Sequence, residues 1–217
     1  MNYQFTPAQK KAIDFVMHKK ELSDFYMSGG TALAAYYEGH RISDDIDFFT
    51  TGVINPTAVE AAAAELKSEL GATAVAYQKV FDRRLYFFAL PDGDQLKLEF
   101  THYPFNQLEP IQVFNDVRVA SRRDVAANKL MTLVDRFDPK DFVDLYFLTR
   151  TTPLQEIRAD AEKKFGVAIT PLTLGSELMK VERITALPKM LKPLDLETLK
   201  TAIRELARGL RGEIVED

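Results

Sequence analysis

The chain has 217 residues, of which 46% are apolar and 28% charged, and a net charge of −4. This is an ordinary globular composition, with enough apolar material for one substantial domain or two small ones. The lack of cysteine excludes a disulfide framework and thiolate chemistry and fits a reducing compartment, so a cytoplasmic location is expected. The opening MNYQFTPAQKK has no apolar run followed by small residues, which predicts no signal peptide, and no apolar run is long enough to span a bilayer. A slight negative excess does not point to a nucleic-acid binder, although a local basic face is compatible with it.

In chain order, residues 6–20 read as a helix, with Thr6 as N-cap, Pro7 in the first turn and Ile13, Phe15 and Val16 as apolar contacts. Residues 25–27 form a short buried strand, and the turn Ser28-Gly29-Gly30 leads into a helix starting near Thr31. A strand over residues 45–50 follows, then an alanine-rich helix over 55–70 capped by Asn55 and closed by Gly71. Three strands are predicted at 73–79, 84–90 and 95–101, the last two joined by the turn Pro91-Asp92-Gly93-Asp94. A small ribbon turns at Asn115-Asp116. From Ser121 the pattern becomes helical, with helices over 121–135, 139–149, 153–165, 171–184 and 195–210 and a short one at 188–190. The expected fold is α+β, a mixed sheet with flanking helices over residues 1–120 followed by an all-helical part over 121–217.

The chemistry concentrates in the stretch SGGTALAAYYEGHRISDDIDFFT, residues 28–50. On a strand, Asp45 and Asp47 share one face while Ile46 and Phe48 point into a core, and Asp44 alternates to the opposite side. Two carboxylates held close together repel each other, and a hard divalent cation such as Mg²⁺ is the natural compensation. In the later strand, Leu96, Leu98 and Phe100 share one face and Lys97 and Glu99 the other. Placed beside the aspartate strand, Glu99 becomes a third carboxylate, and three carboxylates can hold one or two Mg²⁺ ions of the kind that stabilise displacement at phosphorus. The glycine pair lets backbone N–H groups approach phosphate oxygens, with the Ser28 hydroxyl as a further donor. On the residues alone, each part has a plainer reading. A glycine pair before a helix is common, and an Asp-x-Asp is often a solvated edge. Lys129 reads as a solvated lysine at the edge of the stripe Leu130, Leu133, Val134 and Phe137, with Arg136 two turns on. Lys140 and Asp144 read as a surface pair at i, i+4, Asp141 as a helix-surface charge, and His40 as a polar turn residue.

The order strand, glycine pair, helix, Asp-x-Asp strand and later Glu strand resembles the nucleotidyltransferase fold of DNA polymerase β type. More narrowly, GGTALAAYYEGHRISDDIDFF and ASRRDVAANKLMTLVDRFDPKDFVDLYFL are similar to the two conserved blocks of the AbiEii/AbiGii-type nucleotidyltransferases, the toxins of type IV toxin–antitoxin systems. The resemblance implies that Ser28, Gly29 and Gly30 contact nucleotide phosphates, and that Arg41 and Ser43 line the triphosphate site. It implies that Asp45 and Asp47 ligate Mg²⁺, and that Glu99 is general base or partner of a second ion. Lys129 would reach the triphosphate from the helical half, and Asp141 would face the acceptor or orient Lys129. Ser28 stands where relatives commonly carry lysine.

The expected activity is therefore Mg²⁺-dependent transfer of a nucleoside monophosphate from an NTP to an acceptor hydroxyl on RNA, for example tRNA, or on protein. A toxin role would bring a cognate antitoxin as partner; no membrane partner is expected. Arg118, Arg122, Arg123, Lys129, Arg136 and Lys140 make one candidate acceptor surface, and Arg204, Arg208 and Arg211 a second. The alternative is a nucleotide- or RNA-binding module that keeps the fold without turnover. A metal-dependent phosphodiesterase fits less well, since it usually brings histidine ligands and this chain has only His18, His40 and His102.

Overall fold

A computed structural model describes residues 3–215. Its centre is a mixed seven-stranded sheet of order β3-β4-β5-β2-β1-β7-β6. The strands are β1 (Tyr26–Ser28), β2 (Ile46–Thr50), β3 (Ala74–Val80), β4 (Arg83–Ala89), β5 (Gln95–His102), β6 (Gln112–Phe114) and β7 (Val117–Val119). Neighbours run antiparallel except β2 with β5 and β1 with β7, which are parallel.

One face of the sheet is closed by α1 (Pro7–His18) and α3 (Pro56–Leu70). The alternation read from the sequence explains why. Ile46 and Phe48 of β2 and Leu96, Leu98 and Phe100 of β5 turn to that side and pack with Ile13, Val16, Val59 and Leu66 in one buried cluster. Thr6 caps α1 through a capping box with Gln9, and Asn55 caps α3, which Gly71 closes in the left-handed conformation at φ 63°.

The other apolar cluster belongs to the helices α4 (Arg122–Asp135), α5 (Pro139–Thr149), α6 (Leu154–Phe165), α7 (Pro171–Met179) and α8 (Leu196–Gly209), with α9 (Arg211–Val215) last. Leu130, Leu133, Phe142, Leu145, Leu174 and Ile203 are among its buried members, and Tyr26 and Leu33 reach into it from the sheet side.

Several local readings are corrected. The helix expected at Thr31 begins at Gly29, runs as α2 (Gly29–Ala32) and widens into a π-helical stretch, Leu33–Glu38, that ends at Gly39 with φ 58°. Asp45 stands just before β2 rather than within it. The helix expected over 171–184 ends as α7 at Met179 and tightens into a 3₁₀ turn, Lys180–Arg183. No helix forms at 188–190: Met190 bridges Arg41 antiparallel, Ile42 N–H donates to the Lys189 carbonyl at 2.9 Å, and Leu191 N–H donates to the His40 carbonyl at 2.8 Å. Pro188 and Pro193 bracket this segment and favour extended backbone over a helical turn.

Candidate active site

A cleft of about 580 Å³ lies between the free face of the sheet and α4, a size suited to a small-molecule ligand. The parallel register of β2 and β5 sets Asp47 opposite Glu99 and Phe49 opposite Thr101. Side chains two residues apart on a strand share a face, so Lys97 and Glu99 turn to the cleft with Asp47, and Asp45, just before β2, lines it with them. Ser28 of β1 pairs with Asp47, which brings the glycine pair to the same spot.

The glycines are required there for steric reasons. Gly29 has φ +72°, and a Cβ on it would collide with Asp47 Oδ2. A Cβ on Gly30 would lie 2.5 Å from an Arg41 guanidinium nitrogen and 3.4 Å from Ser43 Oγ. Both glycines line the cleft, and the first amides of α2 have no intrahelical acceptor. Thr31, fully buried, ties α2 to the Asp45 carbonyl through its hydroxyl.

The sheet wall is acidic and incompletely balanced. Burial first, then Glu99 and Asp45, push the Asp47 carboxyl up to about 6, against the pull of Lys97 and Lys129. Lys97 Nζ donates to Asp45 Oδ2 at 2.8 Å. Glu99 accepts from Arg83 at 2.5 and 2.6 Å and from the Thr101 hydroxyl at 2.7 Å. Burial would raise Glu99, but these bonds hold it below its ordinary range. Asp45 and Asp47 thus have the donor chemistry and the surplus negative charge that suit a divalent cation. Glu99 does not join them freely: its carboxylate is committed to Arg83 and Thr101, and among the described residues no group of three acidic or histidine side chains converges as a ready cation cage. Arg83 and Thr101 therefore compete for the carboxylate expected as a general base or as partner of a second ion.

The opposite wall is built from α4, α5 and the turn after the π-helical stretch. Lys129 Nζ lies 2.9 Å from Asp141 Oδ1 and 2.7 Å from Asp144 Oδ2. Arg41 grips Asp144 with two bonds, at 2.7 and 2.8 Å, and His40 Nε2 is 2.7 Å from Asp144 Oδ1. Arg136 reaches Asp141 Oδ2 at 3.3 Å. Despite burial, Lys129 and Arg41 hold Asp144 well below the usual carboxylate range. Against burial, Asp144 and Asp141 raise the Lys129 ammonium, and Asp144 raises the Arg41 guanidinium. Arg41, Ser43, Lys129, Arg136, Lys140 and Asp141 line the cleft.

The structure brings together Gly29, Gly30, Arg41, Ser43, Asp45, Asp47, Glu99, Lys129 and Asp141. Ser28 is the exception: it is fully buried, with its Oγ 3.4 Å from Asn128 Nδ2, and does not line the cleft. Its hydroxyl is therefore not a phosphate donor, because the β1 register turns it into the α4 contact. Asp144 is no surface partner of Lys140 but the buried centre of the network, and His40 is a core residue rather than a solvated turn residue. The first basic surface also changes. Arg118 donates to the carbonyls of Met17, Leu22 and Phe25, Arg122 pairs with Glu38 and Arg123 with Asp160, so only Lys129, Arg136 and Lys140 of that set face the cleft. In the second set, Arg204 pairs with Glu182. Arg83 and Asn128 were not singled out from the sequence. Arg83 stands opposite Thr101, diagonal to Glu99, a relation visible only once the strands are paired.

Known proteins place this architecture. The profile of the family described as "Nucleotidyl transferase AbiEii toxin, Type IV TA system" matches residues 16–213, and the chain belongs to that family. It is a nucleotidyltransferase with an α+β fold. Among its relatives, an uncharacterized protein of Aquifex aeolicus (strain VF5), aq_aa25, is 33% identical over 161 residues, which cover 72% of this chain and 74% of that one. The crystal structure of JHP933 from Helicobacter pylori has the same fold, with a TM-score of 0.60 at 19% identity over 96% of this chain and 91% of that one. So does MenT4, the nucleotidyltransferase toxin Rv2826c from Mycobacterium tuberculosis H37Rv, with a TM-score of 0.53 at 14% identity over 94% and 83%. Among the described residues, no helix is long and apolar enough to cross a membrane.

Proposed function

We propose that this chain transfers a nucleoside monophosphate from an NTP to an acceptor hydroxyl, using the cleft between the sheet and α4. The observation that carries the reading is the facing of the Asp45–Asp47 pair and the glycine turn by Arg41, Lys129 and Arg136 within one cleft. Asp45 and Asp47 would hold Mg²⁺, which when bound would offset triphosphate charge. The amides at the start of α2 would approach the phosphate oxygens, and Lys129 and Arg136 would meet them from the other wall. Asp141 would hold Lys129 at its position in the cleft, and Glu99 would fix the Arg83 guanidinium beside it. The acceptor oxygen attacks the α-phosphorus, its new O–P bond replacing the bond to pyrophosphate, and the acceptor's proton passes to solvent at the open side of the cleft. Positioning and fixed charge would supply most of the acceleration.

The division into a nucleotidyltransferase part, residues 1–120, and a helical part, 121–217, belongs to the same proposal, with the cleft between them. Membership of a toxin family supports a toxin role with a cognate antitoxin; action in the cytoplasm on an RNA or protein acceptor is part of the same proposal. The ion pairs Lys97–Asp45 and Arg83–Glu99, which partly neutralise the carboxylates without a cation, favour a second reading, a nucleotide-binding module without turnover.

Incubation with Mg²⁺, each labelled NTP, and total RNA or cell extract separates the two. Transfer of label with release of pyrophosphate, lost in Asp47→Ala, supports transfer. Nucleotide binding with no label on any acceptor supports the binding module, and loss of label without transfer points to hydrolysis instead.

A further inference from the structure

Beyond its charged end, the cleft has a second end lined by rings. Phe49, Tyr103, Phe105 and Phe165 all line it. Successive ring centroids lie 4.6 Å (Phe49–Tyr103), 4.9 Å (Tyr103–Phe105) and 4.7 Å (Phe105–Phe165) apart. None of the four is fully buried, so this is a ring-walled bay rather than a closed core. The strand geometry fixes its distance from the acidic centre: Phe49 follows Asp47 by two residues on the same face, a step of about 6.6 Å along β2.

The opposite wall is ordered the same way. Asn128, Lys129 and Thr132 of α4 line the cleft at i, i+1 and i+4, a single stripe of the helix, and Arg136, its C-cap, lines the cleft beyond them. Arg136 meets Asp141 at the charged end, whereas Asn128 meets Tyr103 at the ring end. From Asn128 to Asp135, the last residue of α4, the helix rises about 10.5 Å. The Asn128 amide is buried, yet its two polar contacts are both at the outer limit of a hydrogen bond: Oδ1 to the Tyr103 hydroxyl at 3.4 Å and Nδ2 to Ser28 Oγ at 3.4 Å. It therefore retains both an acceptor and a donor for a ligand edge.

A trough with cations and carboxylates at one end, and rings with one under-used amide at the other, has the polarity of a nucleotide. We propose that the Phe49–Tyr103–Phe105–Phe165 bay seats the nucleobase of the NTP, with the base stacked on the rings and its hydrogen-bonding edge read by Asn128, the specificity-determining residue. This rests on the nucleotidyltransferase reading of the charged end. Stacking on an aromatic ring is worth about 1–3 kcal/mol per base and tolerates every base, so choice among bases falls to the amide.

The test is equilibrium binding by calorimetry of the full chain, with Mg²⁺, to ATP, CTP, GTP and UTP and to inorganic tripolyphosphate, which has the charge but no base. The best NTP is expected to bind at least about tenfold tighter than tripolyphosphate. Phe105→Ala, and Phe105→Leu as the variant that keeps apolar packing, should weaken NTP binding by about tenfold and leave tripolyphosphate unchanged. Asn128→Ala should shrink the spread between the best and worst NTP to within about threefold. The proposal is overturned if NTPs bind no tighter than tripolyphosphate, if both Phe105 variants bind NTPs as the parent does, or if Asn128→Ala leaves the spread intact. In each of these cases tripolyphosphate binding keeps the charged end in place. If neither tripolyphosphate nor any NTP binds, the nucleotidyltransferase reading of the cleft falls first and the base seat with it.

Discussion

Asp47 on the sheet wall and Asp144 on the helical wall are the same side chain treated in opposite ways. Asp47 faces the cleft beside Asp45 and Glu99, and its carboxyl is pushed up to about 6 by burial and by those neighbours. Asp45, next to it, is 46% exposed and, among the described residues, paired with Lys97. Asp144 is fully buried, and Arg41, Lys129 and His40 surround it at 2.7 to 2.8 Å. The first arrangement leaves negative charge for a ligand to neutralise. The second closes its charges on one another and ties the turn after α2 to α5 across a sequence separation of 103 residues. Charge left open serves binding, whereas charge closed within the protein fixes the relative position of the two walls.

Breaking the closed wall should give the largest effect. Asp144→Ala strands the buried Arg41 without its carboxylate, leaves Lys129 with Asp141 alone, and should cost about 3–5 kcal/mol of stability in urea denaturation. The same group predicts an acid limit. Because the folded pKa values of Asp144 and Glu99 lie below their unfolded values, their contribution is complete above the unfolded pKa of about 4 and is lost as pH falls through the folded values. The melting temperature should therefore fall below about pH 4, less steeply in Asp144→Asn than in the parent.

Breaking the open wall should do the reverse. Asp47→Asn removes a carboxylate that its neighbours already disfavour, so its melting temperature should equal or exceed the parent's. Label transfer should drop about a thousandfold, equivalent to ~4 kcal/mol of barrier. An Asp47→Asn protein that unfolds easily would make Asp47 structural and erase the contrast between the walls. Gly29→Ala tests how closely the turn approaches that carboxylate. It forces a side chain into φ +72° against Asp47 and should cost about 1–2 kcal/mol. Thermal unfolding reads the cost, and Gly71→Ala, where a Cβ has open space but φ is similar, separates backbone strain from collision. The smallest effect sharpens the picture most. Lys97→Met frees Asp45 of its ammonium and should tighten Mn²⁺ binding by about three- to tenfold in calorimetry, while stability shifts by less than about 1 kcal/mol, as for an exposed ion pair. Unchanged Mn²⁺ affinity would show that Lys97 does not compete for the cation position.

The alternation in residues 45–50 and 95–101, the caps Thr6 and Asn55 and the glycine pair were legible because each is a local rule with a period or a fixed offset. They gave the strands, most helices and the acidic face. What escaped depends on contacts between distant segments. Asp144 and Lys140 have the spacing of a surface pair, and nothing within four residues reveals that Arg41 arrives from the other half of the chain. Ser28 looked like a phosphate donor because its neighbours are glycines, but pairing with Asp47 turns its side chain toward Asn128. The segment 188–190 was read as helical, yet it pairs with the extended backbone of Arg41.

The sequence by itself determined the elements, the acidic face and, through two conserved-looking blocks, the family. Tertiary structure alone decided which charges remain open. It sealed Asp144 and His40, engaged Glu99 with Arg83, and lined the far end of the cleft with Phe49, Tyr103, Phe105 and Phe165. The physical reason is that a strand or helix pattern specifies which face a side chain occupies, whereas its charge balance depends on which distant groups pack against that face and exclude water from it.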